Sequence, residues 1–107
     1  MTMTFDKNDY VQLKDGENYI NKFVILRLNF FKEEYREAKN QLFYATGGFG
    51  CYPEKIGGKV FGRWFDEWGQ TRREYILGVA TEEAIANWEK TYGISREVFK
   101  KDEEDAD

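Results

Sequence analysis

Residues 41–65 read QLFYATGGFGCYPEKIGGKVFGRWF, and the fold follows from how this stretch is divided. Gln41 to Thr46 and Lys59 to Phe65 are short and rich in aromatic and β-branched residues, which is strand chemistry rather than helix chemistry. Between them, residues 47–58 hold five glycines together with the chain's only proline and only cysteine. Glycine permits positive φ and close backbone approach, and Pro53 offers no N–H to a ladder, so this segment is an irregular loop. The whole stretch is a strand–loop–strand unit.

Working outward from it, Lys22 to Phe30 (KFVILRLNF) alternates. Val24, Leu26, Leu28 and Phe30 fall on one side, and the spacing predicts a strand with one dry face. Thr71 to Val79 is a further strand, joined to Lys59–Phe65 by the hairpin link Asp66 to Gln70. Asp9 to Leu13 forms a short extended piece before a turn at Asp15-Gly16. Phe31 to Asn40 changes to helix formers and is read as one or two helical turns or an ordered loop. Thr81 is an N-cap for a helix from Glu82 to about Tyr92, with Ile85, Trp88 and Tyr92 on one stripe and Gly93 as its stop. Ser95 caps a last turn carrying Val98 and Phe99. The expected class is α+β: an antiparallel sheet of about four strands, one main C-terminal helix packed on one face, and a short additional helix or turn.

A chain of 107 residues, 41% hydrophobic and 18% aromatic, supports one domain with its own core. Residues 1–107 are read as that single domain, folded over about 9–99, with loose N-terminal residues and a flexible tail at 101–107. The tail carries one lysine and five acids, so the net charge of −4 belongs to it and the first hundred residues are neutral. Between Lys22 and Arg73 there are ten basic and six acidic residues, which makes the centre mildly basic. Such an acidic run is a solubilising end or, less commonly, a mimic of nucleic acid. A single cysteine and the lack of a signal peptide or long apolar run point to a cytoplasmic protein with no membrane span.

The composition also closes several chemical routes. There is no histidine, which removes Ser-His-Asp and Cys-His arrangements and the commonest zinc ligand. Cys51 has no imidazole to activate it and reads as a packed or free thiol. A Walker loop ending in Gly58-Lys59 would need its first glycine where Pro53 stands and a Ser or Thr where Val60 stands. A dinucleotide fingerprint beginning at Gly48-Phe49-Gly50 would need its third glycine at Pro53. The carboxylates, Glu33, Glu34 and Glu37, Asp66 and Glu67, Glu82 and Glu83, show no spacing that marks a metal-dependent nuclease. The expectation is therefore a protein that is not an enzyme and takes no cofactor or metal.

What remains is an interleaving of aromatic and basic residues. Lys59, Phe61, Arg63 and Phe65 alternate with Val60, Gly62 and Trp64, while Arg73 and Tyr75 share a face opposite Arg72 and Glu74. Paired strands of this kind present cations beside stacking rings, as single-stranded nucleic-acid binders do, or bury the rings as core. Period two does not say which face the helix covers. Loop aromatics and arginines make strong anchors once they leave water, which selects Tyr52, Lys55, Lys59, Arg63, Trp68, Arg72 and Arg73 as partner-binding residues.

The runs Gln41-Leu42-Phe43-Tyr44-Ala45, Gly47-Gly48-Phe49-Gly50-Cys51, Ile56-Gly57 and Val60-Phe61-Gly62, followed by an acidic turn, resemble a block in small proteins of plasmids, conjugative elements and phages of Gram-positive bacteria. The resemblance covers about a quarter of the chain. Some short proteins of this setting are anti-CRISPR proteins that inhibit type II-A Cas9. The resemblance implies a stoichiometric inhibitor whose partner is Cas9 or its guide-RNA complex, with guide-RNA loading as a step it could block. The alternative it leaves is an RNA- or single-strand-binding accessory protein of a mobile element. Arg63-Trp64-Phe65 and Trp68 are bulkier than the usual pattern.

Overall fold

A computed structural model of the chain describes residues 3–100. Among these residues six strands form one antiparallel sheet: β1 (Tyr10–Val11), β2 (Lys22–Leu26), β3 (Leu42–Gly47), β4 (Lys59–Arg63), β5 (Trp68–Arg72) and β6 (Ile76–Ala80). Their order across the sheet is β1-β6-β2-β3-β4-β5. The helices are α1 (Ala38–Gln41) and α2 (Glu82–Tyr92), with short 3₁₀ turns between several elements. The α+β class and the antiparallel sheet hold, but the sheet has six strands rather than about four.

Two of the expected strands are redrawn. The run from Lys22 ends as a strand at Leu26: Arg27 is still extended and its N–H donates to Tyr75 O (2.9 Å), after which Leu28–Phe30 coils as a 3₁₀ turn. Stacking of Phe30 on Tyr75, with centroids 4.3 Å apart, fixes that turn. Thr71–Val79 is not one strand either. It divides at Arg73–Tyr75 into the end of β5 and most of β6, which lie on opposite sides of the β2–β3–β4 centre. The hairpin link is consequently shorter than Asp66–Gln70, since Arg63 already pairs with Trp68.

The one-sided burial expected of β2 is also corrected, because Phe23, Val24, Ile25 and Leu26 are all buried. Val24 and Leu26 join Tyr19, Phe43, Ala45, Cys51 and Val60 in one core. Phe23 and Ile25 join Leu42, Ile85, Trp88 and Phe99 in another, on the face that α2 covers. The second core is held by aromatic edges: Trp88 lies 5.3 Å from Phe99, and Phe99 5.1 Å from Phe23. Met3 and Phe5, which precede the folded span read from the sequence, pack against it. The tail at 101–107 lies outside the described residues, as do Met1 and Thr2.

Helix α2 follows its sequence signals. Thr81 Oγ1 accepts from Ala84 N–H (3.1 Å), a cap of about 1 kcal/mol, and Gly93 closes the helix in the left-handed region. Ile85 and Trp88 are buried on its stripe. Beyond the helix, Arg96 bonds both Glu82 (2.7 and 2.9 Å) and Glu89 (2.9 Å). Its guanidinium holds both carboxyls below the usual carboxylate range and is itself held protonated more firmly than usual. This clasp folds the last 3₁₀ turn, Arg96–Lys100, back over β3 and brings Val98 to the margin of β4. No helix among the described residues is long and apolar enough to cross a membrane.

Candidate functional site

Helix α2 and the last turn cover β6, β2 and β3 but leave the same face of β4 and β5 open, so the hairpin extends past the helical layer. Along β4, Val60 and Gly62 are buried whereas Lys59 and Phe61 are exposed. Along β5, Thr71 is buried whereas Trp68, Gln70 and Arg72 are exposed. Residues directly opposite each other in an antiparallel pair share a face. The register Lys59↔Arg72, Phe61↔Gln70, Arg63↔Trp68 therefore lays six side chains on one surface, three of them cationic, two aromatic and none acidic.

The geometry of that surface is fixed at one corner and free at the other. Arg63 Nε donates to Val98 O (2.9 Å), and its guanidinium carbon lies 5.8 Å from the Trp68 ring centroid. Arg63 is thus held beside an indole at the border with the helical layer. Phe61 is 47% exposed and Trp68 38%, which is large for rings of this size. Arg72 makes a loose, exposed ion pair with Glu74 at 3.8 Å, a contact of little energetic weight.

Of the seven residues selected from sequence, Lys59, Arg63, Trp68 and Arg72 come together here. Lys55 stands apart on the glycine loop, with Nζ 5.6 Å from the Phe49 ring. Tyr52 is half-buried against the first core. Arg73, selected as partner-binding, is turned to the glycine loop instead. Its guanidinium donates to the carbonyls of Phe49 (3.1 Å), Gly50 (3.1 Å), Pro53 (3.3 Å) and Tyr52, binding the loop to the end of β5. Phe65 is not on the surface either; it lies in the turn, 6.2 Å from Trp88. Phe61 and Gln70 were not selected from the sequence. The alternation of Phe61 with Val60 and Gly62 was the available signal, because a glycine beneath a strand leaves its two neighbours on the outer side.

Cys51 faces inward. It is fully buried, its Sγ donates to Gly47 O (3.2 Å), and burial pushes the thiol up in pKa, against a smaller opposing pull from Arg73. A raised pKa keeps it a thiol at neutral pH, the unreactive form. We expect Ellman's reagent to label it only on unfolding, so that the folded protein shows less than about a hundredth of the free-thiol rate. Fast labelling of the native chain would mean that the loop opens readily.

Behind the hairpin turn lies a cavity of about 370 Å³, lined in part by Phe30, Phe31, Tyr35, Trp64, Asp66 and Glu67. Among the described residues no three His, Cys, Asp or Glu side chains are grouped as metal ligands. Comparison with protein-family models, curated proteins and solved structures yields no match.

Proposed function

We propose that the protein acts by stoichiometric binding rather than catalysis, as an inhibitor of a type II-A Cas9 that interferes with guide-RNA loading. The exposed face of the β4–β5 hairpin is its grip on RNA. The observation that carries this reading is the exposed set of paired strand residues, Lys59, Arg63 and Arg72 with Phe61 and Trp68. Among the described residues Glu74 is the one carboxylate paired to its cations, at the loose distance of 3.8 Å from Arg72. Phosphate attracts the cations, and an unpaired base has a face to stack on each ring. The same charge is mismatched to a protein channel that is itself positive, as the heteroduplex channel of Cas9 is, which favours RNA as the contacted species. Cas9 as the target is supported by the resemblance of residues 41–62 to mobile-element proteins, and a bacterial cytoplasm is where that target is loaded.

The test is a Cas9 cleavage assay with the protein added before or after the guide, the RNA being followed on a gel. Inhibition is expected only on addition before loading, with the RNA intact. Guide binding should weaken steeply with salt, as contacts to phosphates do. The Lys59→Ala, Phe61→Ala double variant should keep its fold and lose about thirty-fold in RNA affinity, the loss of one good anchor of about 2 kcal/mol. Unchanged inhibition by that variant, or equal inhibition of preloaded Cas9, would reject the reading. Salt-sensitive RNA binding without any effect on Cas9 would instead identify a single-strand-binding accessory protein, the reading that the face alone favours.

A further inference from the structure

The sheet ends at β5, and among the described residues β4 is its only strand partner. Trp64 N–H donates to Glu67 O (2.8 Å) at one end of the hairpin and Arg73 N–H to Gly58 O (3.4 Å) at the other. In the continuous register between them, bonded and non-bonded pairs alternate, so Gly62–Gly69 and Val60–Thr71 exchange the ladder bonds. The N–H and C=O groups of Trp68, Gln70 and Arg72 therefore point away from β4. Soluble proteins normally blunt such an edge with lysine, proline, a bulge or very short length. The opposite edge, β1, has only two residues. β5 has five residues in unbroken register and carries no lysine and no proline.

The pattern along this edge is also self-complementary. We propose that β5 is a homodimerisation edge, on which two copies of this chain pair antiparallel about a two-fold axis through Gln70 and continue one sheet across both. In that register Gln70 meets the second copy's Gln70, and Trp68 meets the second copy's Arg72, twice by symmetry. Every outward N–H and C=O of the three residues then finds its complement. The indole of each Trp68 receives a guanidinium beside it, a favourable cation–aromatic contact, and no like charges stand opposite. Gly69 falls opposite the second copy's Thr71 on the other face. A two-fold axis at Arg72 would oppose two guanidiniums, and one at Gly69 or Thr71 would bring together groups already bonded to β4. The Gln70 register is the one that uses the whole edge. It also joins the two cationic faces into one continuous surface, although the inference does not rest on what that surface binds.

Sedimentation velocity over about a hundred-fold range of concentration tests it. The wild-type chain should pass from monomer to dimer as concentration rises. Gln70→Pro removes an N–H that β4 does not use, so the hairpin keeps its own ladder while the centre of the dimer loses its donors. This variant should sediment as a monomer throughout, and Gln70→Ala should dimerise like the wild type. A wild-type monomer at every concentration, or a Gln70→Pro dimer of wild-type strength, overturns the proposal. If Gln70→Pro fails to fold, amide exchange of the wild-type chain decides: Trp68, Gln70 and Arg72 should become protected as concentration rises, and unchanged exchange would overturn it.

Discussion

Gly62→Ala should unfold the chain or leave it barely stable. A Cβ at this position would lie 2.0 Å from Tyr44 O and 2.9 Å from two atoms of the Phe43 ring. The carbonyl belongs to β3, the neighbouring strand, and the ring belongs to the first core, so neither can retreat without moving the sheet. The cause is the irregular pairing of β3 with β4, where Ala45 pairs with Gly62 but Gly47 with Phe61, leaving Thr46 as an extra residue. The bulge pushes β3 against β4 at a point where only a hydrogen fits. A loss on the order of 4 kcal/mol is expected, among the largest for a single methyl group. Urea denaturation followed by circular dichroism measures it against Gly47→Ala, where the added Cβ has nothing within 4 Å. Equal midpoints for the two variants would show that the strands can separate at little cost.

Arg73→Met should cost about 3 kcal/mol, because it removes a cation that serves four carbonyls at once. Those carbonyls belong to four of the five residues from Phe49 to Pro53, that of Cys51 accepting from Tyr19 N–H instead, and a planar fork of five donors suits them in a way that a single ammonium cannot. Arg73→Lys should therefore recover less than half of the loss. Arg72→Met, one residue earlier and exposed, is the control and should change stability by no more than about 0.5 kcal/mol. Arg73→Met should also release Cys51, whose burial depends on the loop staying closed, so thiol labelling and denaturation together separate local opening from global unfolding. If Arg73→Met and Arg72→Met were equally stable, the four carbonyls would have to be adequately solvated without the guanidinium.

These two positions also mark how far the sequence could be read. Strand chemistry in 42–46 and 59–63 is local and was legible, as was α2, whose Thr81 and Gly93 are punctuation in the chain itself. The division at Arg73–Tyr75 was not. RREYILGVA runs on without glycine or proline until Gly78, and what breaks the strand is a side chain reaching back across the loop. An arginine carries the same fork whether it is aimed at a partner or at its own backbone, so the sequence does not distinguish Arg73 from Arg72. The start of β5 carries no strand signal because Trp68-Gly69-Gln70 has little apolar content; an edge strand with one open face does not need it. For the candidate surface, alternation brought Lys59, Arg63, Trp68 and Arg72 within reach of sequence reasoning. Its exposure was settled by where α2 ends, and that is a property of packing.

The place of β6 between β1 and β2 bears on time as well as on shape. Val24 pairs with Val79 and Ile25 with Gly78, so the middle of the sheet joins positions more than fifty residues apart in the chain. The hairpin β4–β5, by contrast, pairs near neighbours in the chain. Folding that waits for distant pairing is slow, on the order of milliseconds to seconds for sheets of this kind. During synthesis, the apolar run of Phe23 to Leu26 leaves the ribosome long before Ile76 to Ala80 exists to flank it. A nascent chain released early would therefore display an adhesive central strand, and it is in that interval that chaperones would be needed.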